Sequence, residues 1–211
     1  MVLFISQILI TLLLTTTWYQ RKKGVRVSDV LNKNHRSVVI LLCGMTGSGK
    51  STLAKRLENE FLFVRFSIDE WMISLFGHDM SRKEFDDRMA NTKIKIFGIV
   101  SQLIKLNINI VLDYGFWRQE ERVLVSKMIE DVNGYPVIYY LDVDTDTLKK
   151  RLTVRNSTRS ESEYEITEEM LEIFLKRFIV PSDKESVEIV HFNEISLSSG
   201  VLTEHVIRLL K

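Results

Sequence analysis

Gly44-Met45-Thr46-Gly47-Ser48-Gly49-Lys50-Ser51, followed by Thr52, is the stretch on which the reading of this chain turns. It satisfies the pattern G-x-x-x-x-G-K-[ST] in full, with Gly44, Gly49, Lys50 and Ser51 at the defining positions. Glycines let the backbone curl so that several N–H groups point inward, and the positive end of a following helix completes a cradle for phosphate. Lys50 is expected to reach the β- and γ-phosphates of a nucleotide, and the Ser51 hydroxyl to bind Mg²⁺. Met45, Thr46, Gly47, Ser48 and Thr52 supply the remaining expected nucleotide contacts. Upstream, Val38 to Cys43 is a short apolar run suited to a strand buried on both faces. Downstream, Leu53, Ala54 and Leu57 recur at helical spacing. Strand, glycine-rich turn and helix is the context this motif requires.

Strands and helices go on alternating beyond it. Strands are expected at Phe61 to Ile68, Ile108 to Leu112, Val137 to Val143 and Val187 to Phe192. Helices are expected from Thr52 to Glu60, Arg82 to Leu106, 118 to 131, Thr145 to Arg155, Ile166 to Phe178 and Val201 to Lys211. Thr167 with Glu168 and Glu169 gives the fifth of these segments the acidic start that a helix dipole favours. Such alternation predicts an α/β fold, a parallel sheet covered on both faces.

With 211 residues, one such domain accounts for the chain, and it is placed at residues 37–211. Lys and Arg total 29 against 28 Asp and Glu, a net charge of +1 that argues for no nucleic acid or anionic membrane partner. The single cysteine, Cys43, ends an apolar run and reads as a packed side chain; a disulfide or Cys-based zinc site within one chain is excluded. Residues 1–20 are uncharged and rich in Leu and Ile, then Trp18-Tyr19 precede Arg21-Lys22-Lys23. Two readings stand: a short membrane anchor with the rest cytoplasmic, or a translation start placed too early, with Val25 or Val27 the real one. A signal peptide fits less well, for want of a basic start and a small-residue cleavage site. Residues 21–36 read as a linker.

No N-K-x-D segment follows a late strand, which argues against a GTPase, and Asp113 is followed by Tyr114 rather than by the second acid of a motor ATPase. Five features instead stand in one order: the phosphate loop, Asp69 after the second strand, Leu112-Asp113-Tyr114-Gly115-Phe116-Trp117-Arg118, an Arg-rich segment, and Leu175 to Pro181. From Ser37 to about Glu194 that combination resembles the small P-loop kinases of the AAA-type ATP-binding group that includes chloramphenicol phosphotransferase and the zeta toxins. The resemblance implies a three-layer α/β/α fold of about five parallel strands in the order 2-3-1-4-5, with ATP and Mg²⁺ as cofactors. The Asp113 segment is also similar to the D-G-F-P-R segment of adenylate kinases, but one residue longer and with Trp for Pro, which weakens a nucleoside-monophosphate reading.

Such a kinase needs a carboxylate to take the acceptor's hydroxyl proton and another to order Mg²⁺. Asp69 is expected to be the base, with Glu70 behind it, and Asp113, after an apolar strand, to hold metal with Ser51. A turn or helix-cap role stands open for each aspartate, and the two roles are exchangeable. Arg151, Arg155 and Arg159 lie four apart on a predicted helix and so share a face. The resemblance implies that Arg151 contacts nucleotide and Arg155 stabilises the transferring charge; a solvated helix face is the alternative. Trp71, Phe116 and Trp117 are candidates to wall an acceptor pocket, or else core. The expected activity is transfer of the ATP γ-phosphoryl group to a hydroxyl of a small molecule: an antibiotic, sugar, nucleoside or nucleotide sugar. Nucleotide or polynucleotide kinase activity, and a non-catalytic ATP-binding switch, are the alternatives.

Overall fold

All seven residues of strand β1, Val38–Gly44, are buried, as the unbroken apolar run requires of a strand packed on both faces. The computed structural model describes residues 36–158, 164–193 and 200–210. After β1 come α1 (Lys50–Phe61), β2 (Val64–Ser67), α2 (Ile68–Phe76), α3 (Arg82–Lys105), β3 (Ile110–Gly115) and α4 (Gln119–Glu130). Then follow β4 (Tyr135–Leu141), α5 (Thr145–Ser157), α6 (Glu168–Arg177), a 3₁₀ turn (Asp183–Glu185), β5 (Glu188–Phe192) and α7 (Val201–Leu209).

The five strands form one parallel sheet in the order β2-β3-β1-β4-β5. Alternation along β1 divides the core. Val39, Leu41 and Cys43 face a cluster with Met72 of α2, Ile96 and Val100 of α3, and Val125 and Ile129 of α4. Val38, Ile40 and Leu42 face Leu53 and Leu57 of α1 and Leu202 and Val206 of α7. Helices therefore cover both faces, and the sheet order and layering are those implied by the resemblance. A smaller cluster joins Met45 of the glycine-rich loop to Leu148 and Leu152 of α5 and Leu171 of α6.

Several boundaries differ from expectation. The strand expected from Phe61 is four residues long, because α1 runs to Phe61 and closes on Leu62, whose left-handed backbone (φ 62°) lets its N–H bond Leu57 O. Helix α2 begins directly after β2, with Ser67 as its cap. Asp69 lies in the first turn of that helix, so the cap role open to it belongs to Ser67. Strand β3 continues through Asp113 to Gly115, since Ser67 pairs with Asp113 and Cys43 with Gly115; Asp113 is a strand residue, not a turn or cap.

The anchor or early-start reading of residues 1–20, the linker except Arg36, and Arg159 lie outside the described residues. Among the described residues no helix is long and apolar enough to cross a membrane.

Candidate active site

The glycine-rich loop leaves β1 at Gly44 and enters α1 at Gly49, whose left-handed backbone (φ 98°, ψ 11°) serves as the helix N-cap. Ser48 N–H donates to Met45 O at 3.1 Å, closing the turn. Lys50 Nζ donates to Met45 O at 2.7 Å, so the lysine folds back across its own loop. Burial holds its pKa below the usual lysine range, and the charges of Asp113 and then Asp69 oppose that shift. Ser48 Oγ is buried without a partner among the described residues. That donor and the loop N–H groups are the kind of groups a bound phosphate would satisfy.

This loop opens on a cleft of about 1400 Å³, lined from Thr46 to Thr52 and by Asp69, Asp113, Arg151 and Arg155. The structure thus brings most of the expected site residues to one cavity. The two aspartates reach it differently. Asp69 is exposed to the cleft's water yet surrounded by protein, and that enclosure, then the negative charge of Asp113, pushes its pKa above the usual aspartate range. Asp113 is buried in β3 and accepts a hydrogen bond from Arg65 Nη2 at 3.0 Å. Glu70, the reserve base, also lines the cleft and accepts from the same guanidinium at 2.8 and 3.0 Å.

The donor set suits a hard cation. Ser51 and Asp113 offer oxygens in the same cleft as Lys50. Among the described residues no group of three or more His, Cys, Asp or Glu forms a metal cage. Mg²⁺ needs none, as it binds one or two protein oxygens and completes its shell with phosphates and water.

Helix α5 presents Arg151 and Arg155 to the cleft. Arg151 Nη1 lies 3.4 Å from Gly47 O and 3.5 Å from Ser48 O, long contacts that place it over the phosphate loop. Arg155 donates to Tyr164 O at 3.4 Å, and its Nε is buried without a partner among the described residues.

The expected aromatic wall is largely replaced. Trp71 packs on Phe66 with centroids 6.0 Å apart and does not line the cleft. Phe116 borders it but is 1% exposed, a core residue. Trp117 alone keeps the expected place, its Nε1–H donating to Gly44 O at 3.1 Å and its ring lying 4.7 Å from that of Phe174. Met80, Phe85, Met89 and Tyr164 also line the cleft, beside charged residues such as Lys93 and Glu121. Tyr164 packs edge-on against Phe85 at 5.8 Å, and burial and the nearby Asp69 charge raise the pKa of its phenol. The α3 residues Phe85 and Met89 sit at the spacing of any amphipathic helix, so no signal in the sequence sets them apart.

The AAA domain family matches residues 39–181, a span that holds the phosphate loop, both aspartates and both arginines. No curated protein matches the chain. Among solved structures, a provisionally assigned kinase from Chloroflexus aurantiacus is similar at a TM-score of 0.64 and 15% identity, over 82% of this chain and 95% of that one. Kti12 from Chaetomium thermophilum, in complex with ADP-AlF3, is similar at 0.62 and 14%, over 82% and 99%. A chain of the Pnkp1/Rnl/Hen1 RNA repair complex is similar at 0.55 and 19%, over 69% of this chain and 45% of that one. At these identities the likeness is one of fold.

Proposed function

Because the chain belongs to the AAA domain family, we propose that it is a phosphotransferase that moves the γ-phosphoryl group of ATP to a hydroxyl of a small molecule. The observation that carries this reading is the cleft itself: the phosphate loop, Asp69, Asp113, Arg151 and Arg155 line it together. The loop N–H groups and Lys50 hold the phosphates. Ser51 and Asp113 would hold Mg²⁺, which would supply charge neutralisation for the phosphates. Asp69 takes the proton of the acceptor hydroxyl as the new P–O bond forms and the bond to the β-phosphate oxygen breaks, so that ADP leaves. Arg155, with Arg151 over the loop, stabilises charge on the phosphoryl group in flight. A carboxylate whose surroundings raise its pKa accepts a proton more readily, which suits Asp69 to the base's role, whereas one oxygen of Asp113 is engaged by Arg65.

The finer likeness to chloramphenicol phosphotransferase and the zeta toxins rests on the order of motifs and leaves the acceptor among antibiotics, sugars, nucleosides and nucleotide sugars. A 5′-hydroxyl polynucleotide is a second reading, supported by the fold shared with a chain of an RNA repair complex.

Acceptor-dependent ADP release, measured with these compounds, nucleotides and 5′-hydroxyl oligonucleotides, tests the proposal, with mass spectrometry to find the added phosphate. Lys50→Ala is expected to keep thermal stability and lose turnover, since it removes a charge aimed at phosphate. A folded Lys50→Ala protein that transfers phosphate at the wild-type rate overturns the site. Tight ATP binding with no acceptor-dependent ADP release points instead to a non-catalytic switch.

A further inference from the structure

Strand β2 reads Val-Arg-Phe-Ser, and its Arg65 side chain is only 7% exposed. A guanidinium inside a covered sheet is costly unless its donors are met by acids placed for it. Arg65 pairs with Val111 and Ser67 with Asp113 across the β2–β3 ladder. Side chains two residues apart on a strand share a face, so the register brings Arg65 diagonally alongside Asp113. Its Nη2 donates to Asp113 Oδ2 at 3.0 Å, and the Asp113 side chain is 3% exposed. The same guanidinium grips Glu70 with both prongs, Nη1 to Oε2 at 3.0 Å and Nη2 to Oε1 at 2.8 Å. Glu70 sits in the first turn of α2, one residue after Asp69.

We propose that Arg65 is a positioning residue for the phosphotransfer centre, fixing Asp113 directly and, through Glu70, the helix turn that carries Asp69. This rests on the reading of the cleft as a phosphotransfer site. With Oδ2 engaged, the Asp113 carboxylate is restrained in rotation, and its other oxygen would be left to the Mg²⁺ that the proposed function assigns to it. A planar fork serves two acids at once, whereas an ammonium is a point charge that reaches one well.

The test is a Mg²⁺ titration of the binding of a fluorescent N-methylanthraniloyl ATP, which reads metal and nucleotide without needing the acceptor. Arg65→Met is expected to raise the Mg²⁺ concentration at half-maximal binding by about tenfold or more, the scale typical of residues that orient metal ligands. Arg65→Lys is expected to recover part of that loss, and metal-free nucleotide binding to stay unchanged in both. Glu70→Gln, which leaves the Arg65–Asp113 contact in place, is expected to keep the wild-type midpoint and lower kcat. A folded Arg65→Met or Arg65→Lys protein with the wild-type midpoint overturns the proposal. Should Arg65→Met not fold, Arg65→Lys alone decides. A wild-type protein whose nucleotide binding ignores Mg²⁺ overturns the metal role in the proposed function as well, which separates the two failures.

Discussion

Asp69 is a residue whose surroundings work against the folded state at neutral pH. Its pKa in the fold lies above the value of about 3.9 expected of an exposed aspartate. The folded protein therefore binds this proton more tightly than the unfolded chain does. Its contribution to stability is fully present below that ordinary value and is lost as the pH rises through the folded one. At pH 7 the Asp69 carboxyl therefore lowers the stability of the fold, so Asp69→Asn is expected to raise Tm at pH 7, by a margin that shrinks toward pH 4. The same variant should lower kcat by ~10²–10⁴-fold, the usual worth of a general base, with little change in KM for ATP. Added Mg²⁺ should not restore it, whereas Asp113→Asn should recover in part. An Asp69→Asn enzyme repaired by metal would mean that the two carboxylates have exchanged roles. At this scale Lys50 and Ser51 were legible because the motif is contiguous and each position in it has one chemical task. Arg65 was not, although a charged residue in a short strand of a covered sheet was itself a sign that an acid must stand beside it.

The junction between β1 and α1 shows what an element's end owes to one residue. Gly44 has φ 150°, and a Cβ there would stand 2.9 Å from Leu141 O on the neighbouring strand and 2.9 Å from Ser48 Oγ. Both the conformation and the space exclude a side chain. Gly44→Ala is expected to destabilise the protein by ~1–3 kcal/mol, the scale of a strained backbone position, and to weaken ATP binding by displacing the loop. Urea unfolding and nucleotide titration would check the two effects separately. Element types were legible from period and run length, but several ends were not. Strand β3 outlasts its apolar run by three residues because partners on both sides carry the ladder on, through Ser67 and Cys43. Phe61 and Phe63 look like strand residues, yet they bracket a left-handed turn at Leu62. Helix α2 was hidden because it starts with no loop after β2.

Across the whole molecule, Arg122 of α4 and Glu185 of the 3₁₀ turn form a pair in which neither side chain is exposed (0% for both). Two bonds join them, at 2.7 and 2.6 Å, and Arg122 Nη1 also donates at 2.9 Å to both Phe116 O and Ile179 O. The pair thereby ties the loop that carries Trp117 to the segment after α6. Arg122→Met is expected to cost about 3–5 kcal/mol in urea unfolding, because it strands a buried carboxylate. The double variant Arg122→Met/Glu185→Met should regain much of that loss; a single variant as stable as wild type would show that the pair is not what secures this junction. The phosphate loop and the alternation that makes a covered parallel sheet were determined by the sequence alone, because a contiguous motif and a short period need no knowledge of distant partners. The strand order followed from resemblance, not from periodicity. What only the tertiary structure decided is which distant acid each of these arginines serves, Asp113 (besides the nearby Glu70) for Arg65 across 48 residues and Glu185 for Arg122 across 63. A charged side chain carries no mark of its partner until the sheet register sets the two side by side in a place that water cannot fill.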